Sequence, residues 1–500
     1  MTLLLLLNAC ASLVLGVYAL HEGLLLWLSL RRPRIRGQAR SPSPHGAAVR
    51  EAPAVTVQLP LYNERFVAER IIAAACALNY PAGRLQIQVL DDSTDSTVAR
   101  VRAAVEAARA AGHDITLIRR PTRDGYKAGA LAHALPSASG ELIAIFDADF
   151  VPPPDFLTRL LLEDDRPFDD PTLGFIQTRW AYLNRDASAL TRAQAIMLDM
   201  HFVIEQPARS GQGLLMNFNG SGGVWRRAAI EDAGGWQADT LSEDLDLSYR
   251  AELRGWRGRY VADQAAPSEL PLDILAFKLQ QARWARGSGR CIRKLLPLIW
   301  KSQTSVVRKV LGSLHVSGYV IQPMIVLLAL TSPLLALSAA GSPLGALAGL
   351  IGLLPLASMA AAHRAQGRPF GRFLRDLPAV TTVGIGLSVS NSAALLAGLF
   401  GRASGAFART PKHGEAAPAG AWRYALRVTR STAVELALGG ALWLAAGLLA
   451  GHGDGLAAFG AALYAAGYST VGALSLRVGA TRRLPAARTE SSSGSGARVA

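Results

Sequence analysis

Cysteine is almost missing from this chain: among 500 residues only Cys10, Cys76 and Cys291 occur. They stand far apart without metal-ligand spacing, which excludes a disulfide framework and a cysteine-built zinc site. They read as small buried apolar residues. A signal peptide is excluded too. The apolar run from Leu3 to Leu30, broken only by His21-Glu22, is too long for one and meets the basic run Arg31 to Arg36 directly. Nor is there a basic stripe suited to nucleic acid. The net charge is +15, but much of the Lys and Arg adjoins apolar segments, as at Arg364 to Arg375. That placement fits the positive-inside pattern and anionic lipid, so no nucleic-acid partner is expected.

What the chain has in abundance is apolar side chains, 50% of the total, with a mean hydropathy of +0.22. That is too high for an ordinary soluble protein. Residues 1–30 read as an uncleaved transmembrane anchor whose C-terminal end is cytoplasmic. Residues 31–52, with Ser41-Pro-Ser-Pro44, read as a basic linker. Within 306–480, apolar segments near 312–338, 343–362, 431–451 and 455–477 each approach the roughly 20 residues that cross a bilayer. The segment 377–400 carries Thr381, Thr382, Ser388, Ser390, Asn391 and Ser392 between two basic stretches. It reads as an interfacial or re-entrant helix, which leaves about five spans. The Ser- and Gly-rich tail 481–500 reads as disordered. An integral protein of the cell's inner membrane is expected, its catalytic part cytoplasmic.

Between these parts, residues 53–270 change character. Val55-Thr-Val57-Gln-Leu59 alternates, 66–78 is helix-like, and 85–90 alternates again before Asp91-Asp92. A helix over 96–111, a short strand at 115–118 and an apolar strand at 142–146 follow. This succession predicts an α/β fold with a doubly wound, mostly parallel sheet. Ligands in such sheets sit at the carboxyl ends of strands, where Asp91-Asp92 and Asp147-Ala148-Asp149 both fall. Two carboxylates one residue apart suit a divalent cation, Mg²⁺ or Mn²⁺, whose open positions accept diphosphate oxygens. A solvated strand-end turn would account for them equally.

Three more motifs stand downstream. Ser242-Glu243-Asp244 offers a carboxylate able to take a proton from a sugar hydroxyl, or simply an acidic first helical turn. Gln280-Gln281-Ala282-Arg283-Trp284, in interfacial residues 271–305, combines a diphosphate-binding guanidinium with a broad apolar ring, or belongs to a basic amphipathic surface helix. Phe407-Ala-Arg-Thr410-Pro-Lys412, within a loop at 401–416, is basic and juxtamembrane.

Asp91-Asp92, Asp147-Ala148-Asp149, Glu243-Asp244 and Gln280 to Trp284, in that order, resemble the signature of the processive membrane glycosyltransferases of family 2. Leu59 to Glu64, Gln88 to Asp95, Asp124 to Leu131 and Phe218 to Arg226 are similar to the cellulose synthase-like A group of mannan and glucomannan synthases. The resemblance covers about 55–300 closely and the membrane part by layout. It implies a GT-A-like nucleotide-sugar domain in which Asp91 and Asp92 hold the nucleotide and Lys127 lies near its diphosphate. Asp147 and Asp149 would hold the metal, Asp147 touching the diphosphate as well, and Asp244 would be the base. Gln280, Arg283 and Trp284 would bind the diphosphate and the acceptor end, while Phe218, Asn219, Gly220 and Ser221 would line the acceptor cleft. Thr410 and Lys412 would belong to a gating loop over the donor.

The chain departs from cellulose synthases at Ser242 and Arg409, and its 23-residue tail after 477 is too short for an appended regulatory domain. The expected function is an inverting, metal-dependent transfer of a hexose from GDP-mannose or UDP-glucose to a growing β-linked polysaccharide. A lipid acceptor, as in ceramide glucosyltransferases, is the alternative. A turnover-free scaffold or exporter is a third reading, and an accessory export subunit is left open as a partner.

Overall fold

The computed structural model describes residues 1–31, 51–163, 166–338, 351–401 and 428–481. Seven strands form one sheet: β1 (Val55–Leu61), β2 (Leu85–Asp91), β3 (Ile115–Ile118), β4 (Leu142–Ile145), β5 (Leu173–Tyr182), β6 (Gly223–Arg226) and β7 (Arg257–Ser268). Their order is β3-β2-β1-β4-β6-β5-β7. Strands β1 to β4 run parallel, β6 lies antiparallel between β4 and β5, and β5 pairs parallel with β7. The fold is thus a mostly parallel mixed sheet. Helices α1 (Thr2–Leu30), α2 (Ala68–Cys76), α3 (Thr97–Ala110) and α4 (Tyr126–Ala134) include those expected near 66–78 and 96–111.

The central strands are buried on both faces, so their polar residues cannot point to water. They pair instead. Thr56 Oγ1 donates to Gln86 Oε1 at 2.9 Å, and Gln58 Nε2 donates to Gln88 Oε1 at 2.9 Å. The alternation at Val55 to Leu59 therefore marks a strand, but its polar face is a buried ladder between β1 and β2.

The helices after the sheet's first half include α5 (Ala189–Asp199), running on through a π-turn at Met200–Glu205, α6 (Gln206–Gly211) and α7 (Glu243–Leu253). Long α8 (Ile274–Lys301) and α9 (Val306–Val316) lead to the membrane part: α10 (Ile321–Leu337), α11 (Leu353–Ala365), α12 (Phe370–Gly386), α13 (Ser388–Phe400), α14 (Arg430–Gly451) and α15 (Gly455–Thr481). Among the described residues, five helical stretches are long and apolar enough to cross a bilayer: Thr2–Leu30, Gly318–Leu337, Phe370–Phe400, Arg430–Gly451 and Gly455–Ala480. In the expected span 343–362, the described part is only the 13-residue helix Leu353–Ala365.

Phe370–Phe400 differs from the expectation of an interfacial helix, since by length and composition it qualifies as a span. The physical reason is where its polar groups go. Ser388, Asn391 and Ser392 are buried against neighbouring helices; Ser388 Oγ is 3.1 Å from Tyr468 Oη, and Asn391 Nδ2 donates to Gln322 Oε1 at 3.4 Å. Ser388 and Asn391 thus find polar partners, and all three residues are buried within the protein. Of the cysteines only Cys291 is fully buried, while Cys10 is exposed. Thr410 and Lys412, with most of 401–416, lie outside the described residues.

Candidate active site

One large cavity of about 590 Å³ lies at the carboxyl ends of the central strands. Asp92, Lys127, Asp147, Asp149, Asn219, Gly220, Glu243, Asp244, Gln280, Arg283 and Trp284 all line it. Its far wall is formed by Tyr319, Ile321 and Gln322, at the start of the membrane-length stretch Gly318–Leu337. Acidic motifs distant in sequence thus meet where the sheet adjoins the long apolar helices.

Strand geometry explains which members of each motif arrive. Neighbours in extended chain point to opposite sides. At the end of β2 Asp92 therefore faces the cavity, gripped by both Arg120 Nε, at 3.1 Å, and Arg120 Nη2. Asp91 is 1% exposed on the other side, where its Oδ1 accepts from Ser93 N at 3.0 Å. Asp91, expected to hold the nucleotide, does not itself line the cavity. Phe218 to Ser221 divides likewise. Asn219 and Gly220 reach the cavity, whereas Phe218 and Ser221 are fully buried behind it. Phe218 packs edge-on against Phe175, and Ser221 Oγ accepts from Asp147 N at 2.9 Å. These two shape the cleft wall from behind instead of lining it.

Gln280, Arg283 and Trp284 stand at helical spacing on one face of α8, so all three are presented together. The neighbouring acidic loop comes close because α8 has glycine at 287, where a Cβ would lie 2.1 Å from Ser242 Oγ. Gly220, with φ +81°, makes a similar approach possible: a Cβ there would be 2.9 Å from Asp244 Oδ2.

Lys127 is the electrostatic hub. Its Nζ lies 2.6 Å from Asp147 Oδ1, 2.9 Å from Gly220 O and 3.8 Å from Glu243 Oε1. Burial disfavours its charge, yet Asp147 and Glu243 outweigh that and hold its pKa above the ordinary lysine value. Asp244 is pushed up to about 7, first by burial and then by Glu243, with Lys127 opposing. Burial lowers Arg283 from the usual guanidinium range, against the pull of Asp147, Glu243, Asp149 and Asp244. A carboxyl group poised near neutrality beside two cations can accept a proton and release it again.

Among the described residues no group of three or more His, Cys, Asp or Glu side chains forms a metal cage. The donor set at the cavity is two carboxylates, Asp147 and Asp149, with no imidazole or thiol in that motif. Such a pair fits Mg²⁺ or Mn²⁺, which bind through one or two carboxylates plus substrate phosphates.

Several lining residues carry no recognisable motif. Arg123 stacks over Tyr62, 3.3 Å from its ring centroid, at the mouth beside Asp92. His201 and Glu205 project from the π-turn after α5, and His315 from the end of α9. Trp180 and Tyr182 join them from β5, while Asp199 is buried in an ion pair with Arg185 at 2.6 Å. The resemblance puts Trp180, Tyr182, Asp199, His201 and Glu205 in the region of the acceptor cleft without giving them a role, and of these all but Asp199 line the cavity.

Residues 56–210 match the profile of glycosyl transferase family 2, and residues 142–356 that of glycosyl transferase family group 2. The two matches overlap at 142–210 and together run from 56 to 356. Glucomannan 4-beta-mannosyltransferase 2 of Arabidopsis thaliana is 46% identical over 251 residues, 49% of this chain and 46% of that protein. Glucomannan 4-beta-mannosyltransferase 1 of Oryza sativa subsp. japonica is 41% identical over 263 residues, 51% of this chain and 50% of that protein. The chain spans about half the length of these curated relatives. A mannosyltransferase of Pyrobaculum calidifontis, solved in complex with GDP-Man and Mn²⁺, shares the fold: TM-score 0.51 at 22% identity, covering 79% of this chain and 99% of that one.

Proposed function

We propose that this protein is an inverting, metal-dependent glycosyltransferase that elongates a β-linked mannan or glucomannan from GDP-mannose, with UDP-glucose as the other donor to test. The observation that carries this reading is the single cavity in which Asp92, Asp147, Asp149, Asp244, Arg283 and Trp284 meet and which continues to the first turn of Gly318–Leu337. The names of the similar plant enzymes favour mannose. In this reading the reaction takes place at the inner membrane face, and a cavity wall formed by a membrane-length helix supports a chain acceptor that passes on between the spans.

Inversion needs one displacement. The acceptor hydroxyl oxygen attacks the anomeric carbon as the bond from that carbon to the diphosphate oxygen breaks. Asp244 takes the hydroxyl proton. Arg283 and Lys127 face the departing nucleoside diphosphate, and fixed cations in a buried cleft stabilise charge that develops there. Gln280 assists at the diphosphate, while Trp284 offers its ring to the acceptor's terminal sugar. Held by Asp147 and Asp149, Mg²⁺ or Mn²⁺ would neutralise diphosphate charge. The resemblance assigns Thr410 and Lys412, which lie outside the described residues, to the donor site as well.

Purified full-length protein in lipid nanodiscs, given a panel of nucleotide sugars with Mg²⁺ or Mn²⁺, tests the reading. Release of nucleoside diphosphate together with a lengthening polysaccharide is expected, and chelation should abolish both. No turnover with any donor overturns it, and a product of one sugar on lipid overturns the polymerase part.

A further inference from the structure

The anchor α1 is 29 residues long, more than the roughly 20 that a bilayer needs. Its only charged or imidazole side chains are His21 and Glu22. Ionisable residues in such a helix are costly and call for a partner. The structure supplies one. His21 is 6% exposed, and its Nε2 lies 3.2 Å from Nη2 of Arg209, which is fully buried on α6.

From Arg209 a chain of polar contacts runs to the cavity. Its Nε donates to Glu205 Oε1 at 2.8 Å, and its Nη1 donates to the carbonyls of Leu215 at 3.2 Å and Leu311 at 3.4 Å. Glu205 Oε2 is 2.7 Å from His201 Nδ1, and His201 Nε2 is 2.9 Å from Asn219 Nδ2. With neutral imidazoles, the partners set the direction of these bonds. A guanidinium only donates, so His21 Nε2 carries a lone pair and its proton sits on Nδ1, facing Glu22 Oε1 at 3.9 Å. A carboxylate only accepts, so His201 donates from Nδ1 and receives the Asn219 amide at Nε2. Gln206 Nε2 then donates to Asn219 Oδ1 at 2.7 Å, which fixes the amide's orientation. The remaining Asn219 N–H is the one left to face the cavity. On the other flank His315 Nε2 lies 3.7 Å from Glu205 Oε1, and its Nδ1 is 2.6 Å from the hydroxyl of Tyr249, on the helix that carries Asp244.

We propose that His21 of the membrane anchor is a positioning residue for the acceptor end of the cavity, acting through Arg209, Glu205 and His201 on Asn219. This rests on the glycosyltransferase reading above for the identity of the ligand, a β-linked oligosaccharide. The anchor thereby does more than tether: the apolar contact of Leu25 with Ala208, Leu214 and Leu311 seats it, and the His21 lone pair sets the register of the acceptor wall.

The test is kinetic, in nanodiscs, with a soluble β-linked hexasaccharide as acceptor. His21→Leu should raise the acceptor KM on the order of tenfold, with a smaller change in kcat and in donor KM, since small displacements of positioning groups weaken productive binding by such factors. His21→Gln, whose amide oxygen can reach Arg209, should recover the acceptor KM to within about threefold of wild type. Should His21→Leu not fold, His21→Asn removes the same contact while keeping a polar side chain, and the same KM rise is expected. An unchanged acceptor KM in a folded loss variant overturns the proposal. So does an equal loss in every parameter that His21→Gln fails to rescue, because that marks a merely structural role. Hexasaccharide binding without donor, followed by tryptophan fluorescence, separates the two readings. A wild type that binds sugar without turnover refutes the glycosyltransferase reading alone, while equal affinities of wild type and His21→Leu overturn the anchor's role.

Discussion

Lys127 Nζ stands 2.6 Å from Asp147 Oδ1 and 3.8 Å from Glu243 Oε1, so one ammonium ties the strand-end carboxylates to the acidic start of α7. Replacing it by Met leaves these carboxylates facing one another without that cation. Turnover should fall by about 10²- to 10³-fold, the size of losing one charge-stabilising group. Lys127 also opposes the rise in the Asp244 pKa. The acidic limb of the pH–rate profile should therefore move to higher pH in Lys127→Met, and a limb that stays put would contradict this electrostatic link.

A base works only when ionised, and burial together with Glu243 holds Asp244 at about 7. Activity should thus rise with pH through that value and level off above it. Asp244→Asn should lower kcat by about 10²- to 10⁴-fold and remove the limb. Binding of the nucleotide, measured by calorimetry, should survive.

Gly220 has φ +81°, and a Cβ on it would lie 2.9 Å from Asp244 Oδ2. Gly220→Ala should cost about 1–3 kcal/mol through backbone strain. It should also displace Asp244, the base in the proposed reaction, so kcat drops far more than thermal stability does. Equal activity of the alanine variant would show that the contact relaxes freely.

Lys278 on α8 and Glu435 on α14 form a buried ion pair at 2.7 Å, with side chains 6% and 0% exposed. Removing one partner strands the other charge. Lys278→Met alone should cost about 3–5 kcal/mol, as should Glu435→Leu, whereas the double variant should recover most of it. Thermal unfolding of the four proteins gives the cycle directly, and additive losses would argue against the pairing.

Much of this arrangement is legible in the sequence, and the rest is not for identifiable reasons. Ile115–Ile118 and Leu142–Ile145 are apolar runs bounded by turn residues, so strand and site position follow from local pattern. Which of Asp91 and Asp92 faces the cavity depends on strand phase, and a doublet hides it. His201, Glu205 and Arg209 form no motif, because their meaning comes from a π-turn and from an anchor some 180 residues earlier, as the His21–Arg209 separation of 188 shows. The polar residues of 388–392 suggested an interfacial helix because sequence shows their cost but not the Tyr468 and Gln322 groups that offset it.

Helices α8 and α13 touch backbone to backbone. A Cβ on Gly289 would lie 2.6 Å from Leu395 O, and one on Gly398 would lie 2.3 Å from Arg286 O. The segment bearing Gln280, Arg283 and Trp284 is therefore keyed to 388–400 like a tenon in its mortise. Anyone grafting a foreign membrane region onto this catalytic half would have to transplant 274–400 as one block, since chimaeras joined inside it would mismatch the seam.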